Sequence, residues 1–367
     1  MVSLITKENS QFISAVRITM IIGLVFHHLF TIPNSGFFPR NSLDENFFNL
    51  ANLLNSLIHW TAMSAVPLLS IISGYLYFNR PNVQHKTLLL KRLHSVFLPS
   101  VAWTTIWFVF AYTMVIVGRP YGLFGWLDYN FANFTWLTIL NGVFGITEQP
   151  LAFQFWFIHD LVLTLILAPL ISWLIQRFDK WYVLALMSIW LINKVPMPFF
   201  SLNVLFFFTL GAFVSKRSIK LEVLLSIAKR WQVPIIGFFI VMLFTRSFFN
   251  LHPLFASEIW LSILRLVGVV TVSIILFTIL QRQHWWLLKL SEYSPYAFFI
   301  FATHYPVIEF FKILYMRIPL QGTATGQLLT LLSIPILTTM SCILSAKVLA
   351  RFFPGLFIFL NGGRASQ

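Results

Sequence analysis

The chain has 367 residues, of which 58% are hydrophobic, only 10% are charged and 41 are phenylalanine. A water-soluble domain of this size does not tolerate that composition, so lipid is the expected solvent. The net charge of +14 comes from short basic clusters between apolar runs, the pattern of cytoplasmic loops, which argues against nucleic acid as a partner. The single cysteine, Cys342, lies in an apolar run and supports neither a disulfide framework nor a metal site.

Apolar runs of the length that a membrane-spanning helix needs, about 20 residues, recur along the chain. They predict ten spans, at 11–34, 56–79, 95–117, 153–176, 181–198, 199–215, 231–247, 257–280, 295–316 and 327–350. The first run carries Arg17, His27 and His28 and is not followed by a cleavage site, so it is predicted to be a span rather than a signal peptide. The aromatic stretch 118–152 is predicted to be re-entrant or interfacial.

The distribution of basic residues sets the expected orientation. With the N-terminus inside, most of the 25 Lys and Arg residues fall in cytoplasmic loops. The outer side then holds Arg40, Arg119, Lys194, Arg246, Lys312 and Arg317. The prediction is an all-α transmembrane bundle of about ten spans, with both termini in the cytoplasm and one domain over residues 1–367.

Ionisable residues inside predicted spans cost about 2–3 kcal/mol each on insertion scales, so they indicate either function or helix pairing. Arg17 and His28 stand at i and i+11 in the first span. Eleven steps of about 100° return to within about 20° of the starting direction, which places both residues on one helix face, about 16 Å apart along the axis. That separation is close to the reach of a pantetheine arm. The alternative is an arginine that snorkels to lipid headgroups and a histidine that bonds a neighbouring helix.

Depth in the membrane groups a second set of residues. His28, Asp160, Arg265 and Glu309 lie about 9–12 Å from the outer ends of their spans at helical rise. Arg265 and Glu309 are on consecutive antiparallel helices and are predicted to form an ion pair, with a catalytic role as the alternative. Asp160 is expected to orient a catalytic histidine. His27 points about 100° away from His28 and is the weaker candidate, and His59 is expected at the interface.

Four stretches in order along most of the chain give it a resemblance to a known family. They are Arg17 with His28, the run Val66–Leu76 that contains Ser73-Gly74-Tyr75, the segment from Lys91-Arg92 to Pro99 and Trp103, and Trp156-Phe157 with Phe301-Ala302-Thr303-His304-Tyr305-Pro306. Together they resemble the acyltransferase-3 family of membrane O-acyltransferases, which acylate sugars and other hydroxyl acceptors in bacterial envelopes.

The resemblance implies transfer of an acyl group, expected to be acetyl from acetyl-CoA, to an envelope glycan or lipid-linked saccharide in the bacterial cytoplasmic (inner) membrane. His28 is then the general base, a task that suits a near-neutral imidazole, with Asp160 and Glu309 as further catalytic candidates. The expected donor-site residues are Arg17, Lys86, Lys91, Arg92 and Ser73. The expected acceptor-site residues are Trp156, His304 and Arg265, and no metal is expected.

Two other functions compete with this interpretation. Buried His, Asp, Glu and Arg residues also serve secondary transporters and flippases of sugars or lipid-linked sugars, although no inverted repeat is recognisable in the sequence. A structural membrane subunit of a glycan-export assembly is the third possibility, in which the buried charges only hold helices together. Release of free CoA separates the enzyme from a transporter, which releases none.

Overall fold

The computed structural model describes residues 6–29, 50–79, 84–118, 135–147, 150–192, 200–249, 252–315, 317 and 323–364. Regular secondary structure in these residues is entirely helical, which confirms the predicted all-α class. The first nine helices are α1 Lys7–His28, α2 Leu50–Ala62, α3 Ala65–Phe78, α4 His85–Arg92, α5 Leu98–Gly118, α6 Trp136–Phe144, α7 Trp156–Ile166, α8 Ala168–Phe178 and α9 Lys180–Ile192. The others are α10 Leu202–Lys216, α11 Leu221–Arg230, α12 Gln232–Phe248, α13 Pro253–Ala256, α14 Glu258–Gln281, α15 Trp285–Ser291, α16 Ala297–Tyr315, α17 Ala324–Phe352 and α18 Pro354–Leu360.

Six helical segments of the described chain are long and apolar enough to cross a membrane, or up to eight if two bent helix pairs each count as one span. The six are Lys7–His28, Leu53–Phe78, His85–Val117, Glu258–Gln281, Ser294–Tyr315 and Thr325–Phe352. The protein is therefore a multi-pass membrane protein. The predicted spans at 181–198 and 231–247 coincide with shorter apolar helices, α9 and α12. A count of ten spans and a cytoplasmic location of both termini stay predictions.

One predicted span, 153–176, is a bent helix pair, and the helix of the predicted span 199–215 forms a second bent pair with a helix beyond that span. Helices α7 and α8 meet at Leu167 at an angle of 59°. Pro169 lies at the start of α8, and because proline has no backbone N–H it cannot donate the helical hydrogen bond to the preceding turn. Helices α10 and α11 meet at 112°. Of the stretch 118–152, residues 119–134 and 148–149 lie outside the described chain, and α6 packs on α5. Its predicted re-entrant or interfacial position stays a prediction.

Helices α3 and α10 pack together through two glycines. A Cβ atom at Gly74 would collide with the backbone carbonyl of Phe208, and one at Gly211 would collide with the carbonyl of Ile71. Both obstacles are backbone, which cannot move unless the helices separate. Small residues at such crossings allow the close backbone approach on which helix association in lipid depends. The close packing of α3 on α10 therefore requires glycine at the centre of the Ser73-Gly74-Tyr75 segment.

Helix α1 lies at the centre of the bundle. It packs against α2, α3, α14, α15, α16 and α17. Its start is capped by the Thr6 hydroxyl, which accepts a hydrogen bond from the backbone N–H of Asn9 at 3.2 Å. Because α1 is continuous from Lys7 to His28, the side chains of Arg17 and His28 share one face, as the sequence predicted.

Candidate active site

A cavity opens beside α1 at the level of Arg17. It holds about 820 Å³ of space free of protein atoms, its open mouth included. Most of its wall is apolar, and three guanidinium groups stand in it, those of Arg17, Arg92 and Arg364. No aspartate or glutamate is among the described residues that line it. The wall thus carries three basic side chains and suits a ligand that is anionic at one end and apolar or extended along the rest.

Two α1 residues line the cavity, and the second lies nearer to His28 along the helix. Ile21, one turn beyond Arg17 on the same face, lines it, and so does Phe301 on α16. The ring of Phe301 lies 6.1 Å from the ring of His304. His304 in turn stands edge-on to His28, with ring centroids 5.0 Å apart. The cationic end and a pair of histidines are therefore joined by one continuous set of contacts.

His28 is the last residue of α1 and is buried. Its ring stacks on Phe153 at a centroid distance of 5.1 Å, and Tyr305 lies edge-on at 6.0 Å. These aromatic contacts fix the orientation of the imidazole and keep lipid and bulk water away from it. The structure therefore brings together His28 and His304, two of the predicted site residues that lie far apart in the sequence.

The hydrogen bonds of His304 determine which of its nitrogens carries the proton. Its Nδ1 lies 2.8 Å from the carbonyl oxygen of Phe301 and 3.1 Å from that of Ile300. A carbonyl only accepts, so the neutral ring donates from Nδ1 and carries a lone pair on Nε2. This Nε2 is buried and has no hydrogen-bond partner among the described residues. A proton acceptor thus lies next to His28.

Pro306, two residues further along α16, ties the surrounding elements to the site. Proline has no N–H, so the carbonyl of Ala302 lacks its usual helical donor. The indole Nε1 of Trp107 donates to this carbonyl at 3.0 Å, and Nε2 of Gln154 donates at 3.4 Å. Helices α5 and α16 and the short turn before α7 are thereby joined at Ala302, two residues before His304.

A buried lysine that the sequence analysis counted on the outer side of the membrane contacts the site. Lys312 lies on α16 with its side chain fully enclosed. Its ammonium group donates to the backbone carbonyl of His28 at 3.2 Å and to Oε1 of Glu309 at 3.1 Å. The predicted ion pair between Glu309 and Arg265 is therefore wrong, and Arg265 lies half-buried on α14. The i,i+3 spacing of Glu309 and Lys312 was the sequence signal that could have revealed this pair.

Asp160 makes its contacts away from the histidine pair. One carboxylate oxygen accepts from the backbone N–H of Ser201 at 3.0 Å, and the other lies 3.2 Å from Nδ1 of His159. It therefore joins the start of α10 to α7. Trp156 is half-buried at the start of α7, edge-on to Phe157. Orientation of His28 by Asp160 and acceptor binding by Trp156 stay predictions.

The predicted donor-site residues divide between the cavity and the surface. Arg92 and Ser73 line the cavity with Arg17, and the Ser73 hydroxyl donates to the carbonyl of Leu69 at 2.8 Å. Lys86 and Lys91 are exposed on α4. Neither is among the residues that line the cavity. Donor binding by Lys86 and Lys91 stays a prediction, and the structure places Arg92 in the cavity wall.

His27 occupies a different environment from His28. Its ring stacks on that of His59 at 4.3 Å with an interplanar angle of 24°. His59 is in turn edge-on to Trp60 at 4.8 Å. His27 thus packs towards α2, whereas His28 packs towards α16, which agrees with the difference of about 100° between neighbouring helical positions.

Comparison with known proteins gives two matches. A family model described as an acyltransferase domain matches residues 10–350. The chain is also similar to the Succinoglycan biosynthesis protein ExoH of Rhizobium meliloti (strain 1021), with 27% identity over 366 residues, which covers 96% of this chain and 92% of that protein. No solved structure matches the chain.

Proposed function

Because the chain belongs to the acyltransferase-3 family and is an O-acyltransferase of the membrane, we propose that it transfers an acetyl group from acetyl-CoA to a hydroxyl of an envelope saccharide or lipid-linked glycan. The similarity to a protein named for succinoglycan biosynthesis supports a glycan as the acceptor. We place the enzyme in the bacterial cytoplasmic membrane, with the Arg17 end of the cavity facing the cytoplasm, where the acyl donor is found.

One observation carries the proposal. The cavity that Arg17, Arg92 and Arg364 line is also lined by Phe301. The ring of Phe301 contacts His304, and His304 contacts His28. Helical rise separates Arg17 from His28 by about 16 Å. A donor with phosphates near Arg17 and an extended pantetheine arm would bring its thioester close to the imidazoles. Guanidinium groups suit phosphates because their donors match two oxygens at once.

The chemistry follows from the imidazoles. His28 takes the proton from the acceptor hydroxyl as its oxygen attacks the thioester carbonyl carbon. The carbon–sulfur bond breaks, the thiolate of CoA leaves, and the proton held on the imidazole passes to that sulfur. The products are an O-acetyl ester and free CoA thiol. The lone pair on Nε2 of His304 accepts a hydrogen bond from a second, neighbouring hydroxyl of the acceptor saccharide in this scheme.

Glu309 is a positioning residue in this scheme rather than a group that touches substrate. It pairs with Lys312, and Lys312 holds the last carbonyl of α1 at His28. A cation at this position also interacts favourably with the partial negative charge of the helix C-terminus. The pair thereby fixes where the imidazole of His28 stands relative to α16.

The decisive experiment measures CoA release. Purified protein in proteoliposomes is given acetyl-CoA and a lipid-linked or envelope saccharide, and free thiol and the mass of the saccharide are followed together. The proposal expects thiol to appear in step with a saccharide that gains one acetyl group. Movement of saccharide across the membrane without thiol release would contradict the proposal and support a transporter or flippase.

Adjacent histidines provide a matched pair of variants. His28→Ala removes the proposed general base and is expected to lower turnover by roughly 10²-fold or more. His27→Ala is expected to keep most of the activity, because His27 stacks on His59 outside the histidine pair. Arg17→Lys should retain more activity than Arg17→Ala, because a cation is retained near the donor phosphates. Near-wild-type turnover by His28→Ala would refute the assignment of the base.

A further inference from the structure

The third guanidinium group in the cavity comes from a part of the chain that neither the sequence motifs nor the family resemblance singled out. Arg364 follows α18, beyond the last membrane-spanning helix. Its side chain lines the same cavity as Arg17 and Arg92. Its guanidinium lies over the ring of Phe298, another lining residue, with Cζ 5.4 Å from the ring centroid.

The turn that carries Arg364 is fixed by hydrogen bonds at both ends. The buried Asn361 donates from Nδ2 to the carbonyl of Pro295 at 3.0 Å and to the carbonyl of Arg364 at 2.9 Å. Nη1 of Arg364 donates to the carbonyl of Asn361 at 3.1 Å. The indole of Trp103 donates to the carbonyl of Leu360 at 2.9 Å. The turn is therefore joined to α5 and to the segment before α16.

Glycine allows this turn to fit. Gly362 and Gly363 have φ values of +69° and +76°, in the left-handed region that favours glycine. A Cβ atom at Gly362 would collide with the carbonyl oxygen of Ser95 and lie 2.9 Å from Nη1 of Arg364. The backbone thus packs directly against the segment that carries Arg92, and only glycine permits both this contact and the position of Arg364.

The charge environment of Arg364 indicates an anionic ligand. Burial, and then the nearby charges of Arg17 and Arg92, lower its pKa to about 10. The group stays protonated at neutral pH, so three cations share one cavity to which the described chain contributes no acidic residue. Crowding of like charges is unfavourable by itself and becomes favourable when a multiply charged anion binds.

We propose that Arg364, held by the Asn361–Arg364 turn, is a third donor-binding residue that contacts the phosphate groups of acyl-CoA together with Arg17 and Arg92. The assignment rests on the proposed function. The Asn361–Arg364 turn thereby forms part of the donor site. The polar contacts are to phosphate, so the pantetheine and acyl portions of the donor do not depend on Arg364.

The test compares donors with and without phosphates. In the full-length protein, Arg364→Gln should raise the KM for acetyl-CoA and the Kd for free CoA by roughly tenfold or more, the loss typical of a hydrogen bond between charged groups. The KM for acetyl-pantetheine, which has no phosphate, should not change. Arg351→Gln is the matched control, because Arg351 is exposed in the last turn of α17. Gly362→Ala should weaken CoA binding without changing any charge.

The outcomes separate this inference from the function on which it rests. Wild-type protein that releases no thiol from acetyl-CoA would overturn both. Wild-type activity together with an unchanged KM and Kd in Arg364→Gln would overturn only the role of Arg364. An equal loss with acetyl-CoA and acetyl-pantetheine would also overturn it, because it would show that Arg364 supports the fold rather than the phosphates.

Discussion

The buried pair of Glu309 and Lys312 offers a quantitative test of the site. Lys312 is completely enclosed, and its ammonium group is held by Glu309 and by the carbonyl of His28. Lys312→Met keeps the length of the side chain and removes its charge, which leaves the Glu309 carboxyl group buried without its partner. Breaking a buried pair in this way costs about 3–5 kcal/mol, a factor of roughly 10²–10⁴ in the folding equilibrium.

Removal of both charges should reverse most of this loss. Replacement of a buried pair by neutral groups of similar volume is often close to neutral for stability. The free energy of unfolding of the double variant, Lys312→Met with Glu309→Gln, is therefore expected to lie within about 1 kcal/mol of the wild-type value. Thiol release should stay within about tenfold of wild type, because Glu309 acts through the position of His28 and not on the substrate. A general acid or base at Glu309 would instead lose about 10²-fold or more.

The assay is equilibrium unfolding of the full-length protein in mixed micelles, followed by tryptophan fluorescence, with thiol release measured on the same samples. Lys289→Met is the matched control. Lys289 and Glu292 have the same i,i+3 spacing, with Nζ 2.7 Å from Oε2, but both side chains are exposed. It should have little effect on unfolding. A Lys312→Met protein as stable as wild type, or a double variant as unstable as the single one, would refute the reasoning.

Two further predictions concern the donor site and the helix crossing. In the thiol-release assay, Arg92→Gln should raise the KM for acetyl-CoA several-fold and leave the KM for the acceptor unchanged, because Arg92 lines the cavity. Lys91→Gln, at the exposed neighbouring residue, should change neither KM. Equal effects of the two substitutions would contradict the placement of Arg92. Gly74→Ala should destabilise the protein by about 1–3 kcal/mol in micelle unfolding, because the new methyl group meets backbone of α10. Gly237→Ala is the control, because a Cβ atom at that position meets no atom within 4 Å, and it should be neutral or slightly stabilising. A Gly74→Ala protein as stable as this control would show that α3 and α10 can separate at no cost.

The sequence alone determined the fold class and that Arg17 and His28 share one face of α1. Apolar runs of spanning length have few structural alternatives in lipid, because a helix is the only single segment that satisfies all of its backbone hydrogen bonds internally. The i,i+11 relation of Arg17 and His28 depends only on helical periodicity, and α1 keeps it. Family membership was also evident, because the motifs lie in the chain in the expected order.

Only the tertiary structure decided which residues meet that face. Periodicity gives directions around one helix and says nothing about the partner helix, so depth alone paired Glu309 with Arg265 when the partner is Lys312. The approach of His304 to His28 depends on how α16 packs against α1. The inward position of Arg364 depends on a glycine turn that packs on the carbonyl of Ser95. Contacts of this kind join segments far apart in the sequence, and their geometry is fixed by packing that no local pattern records.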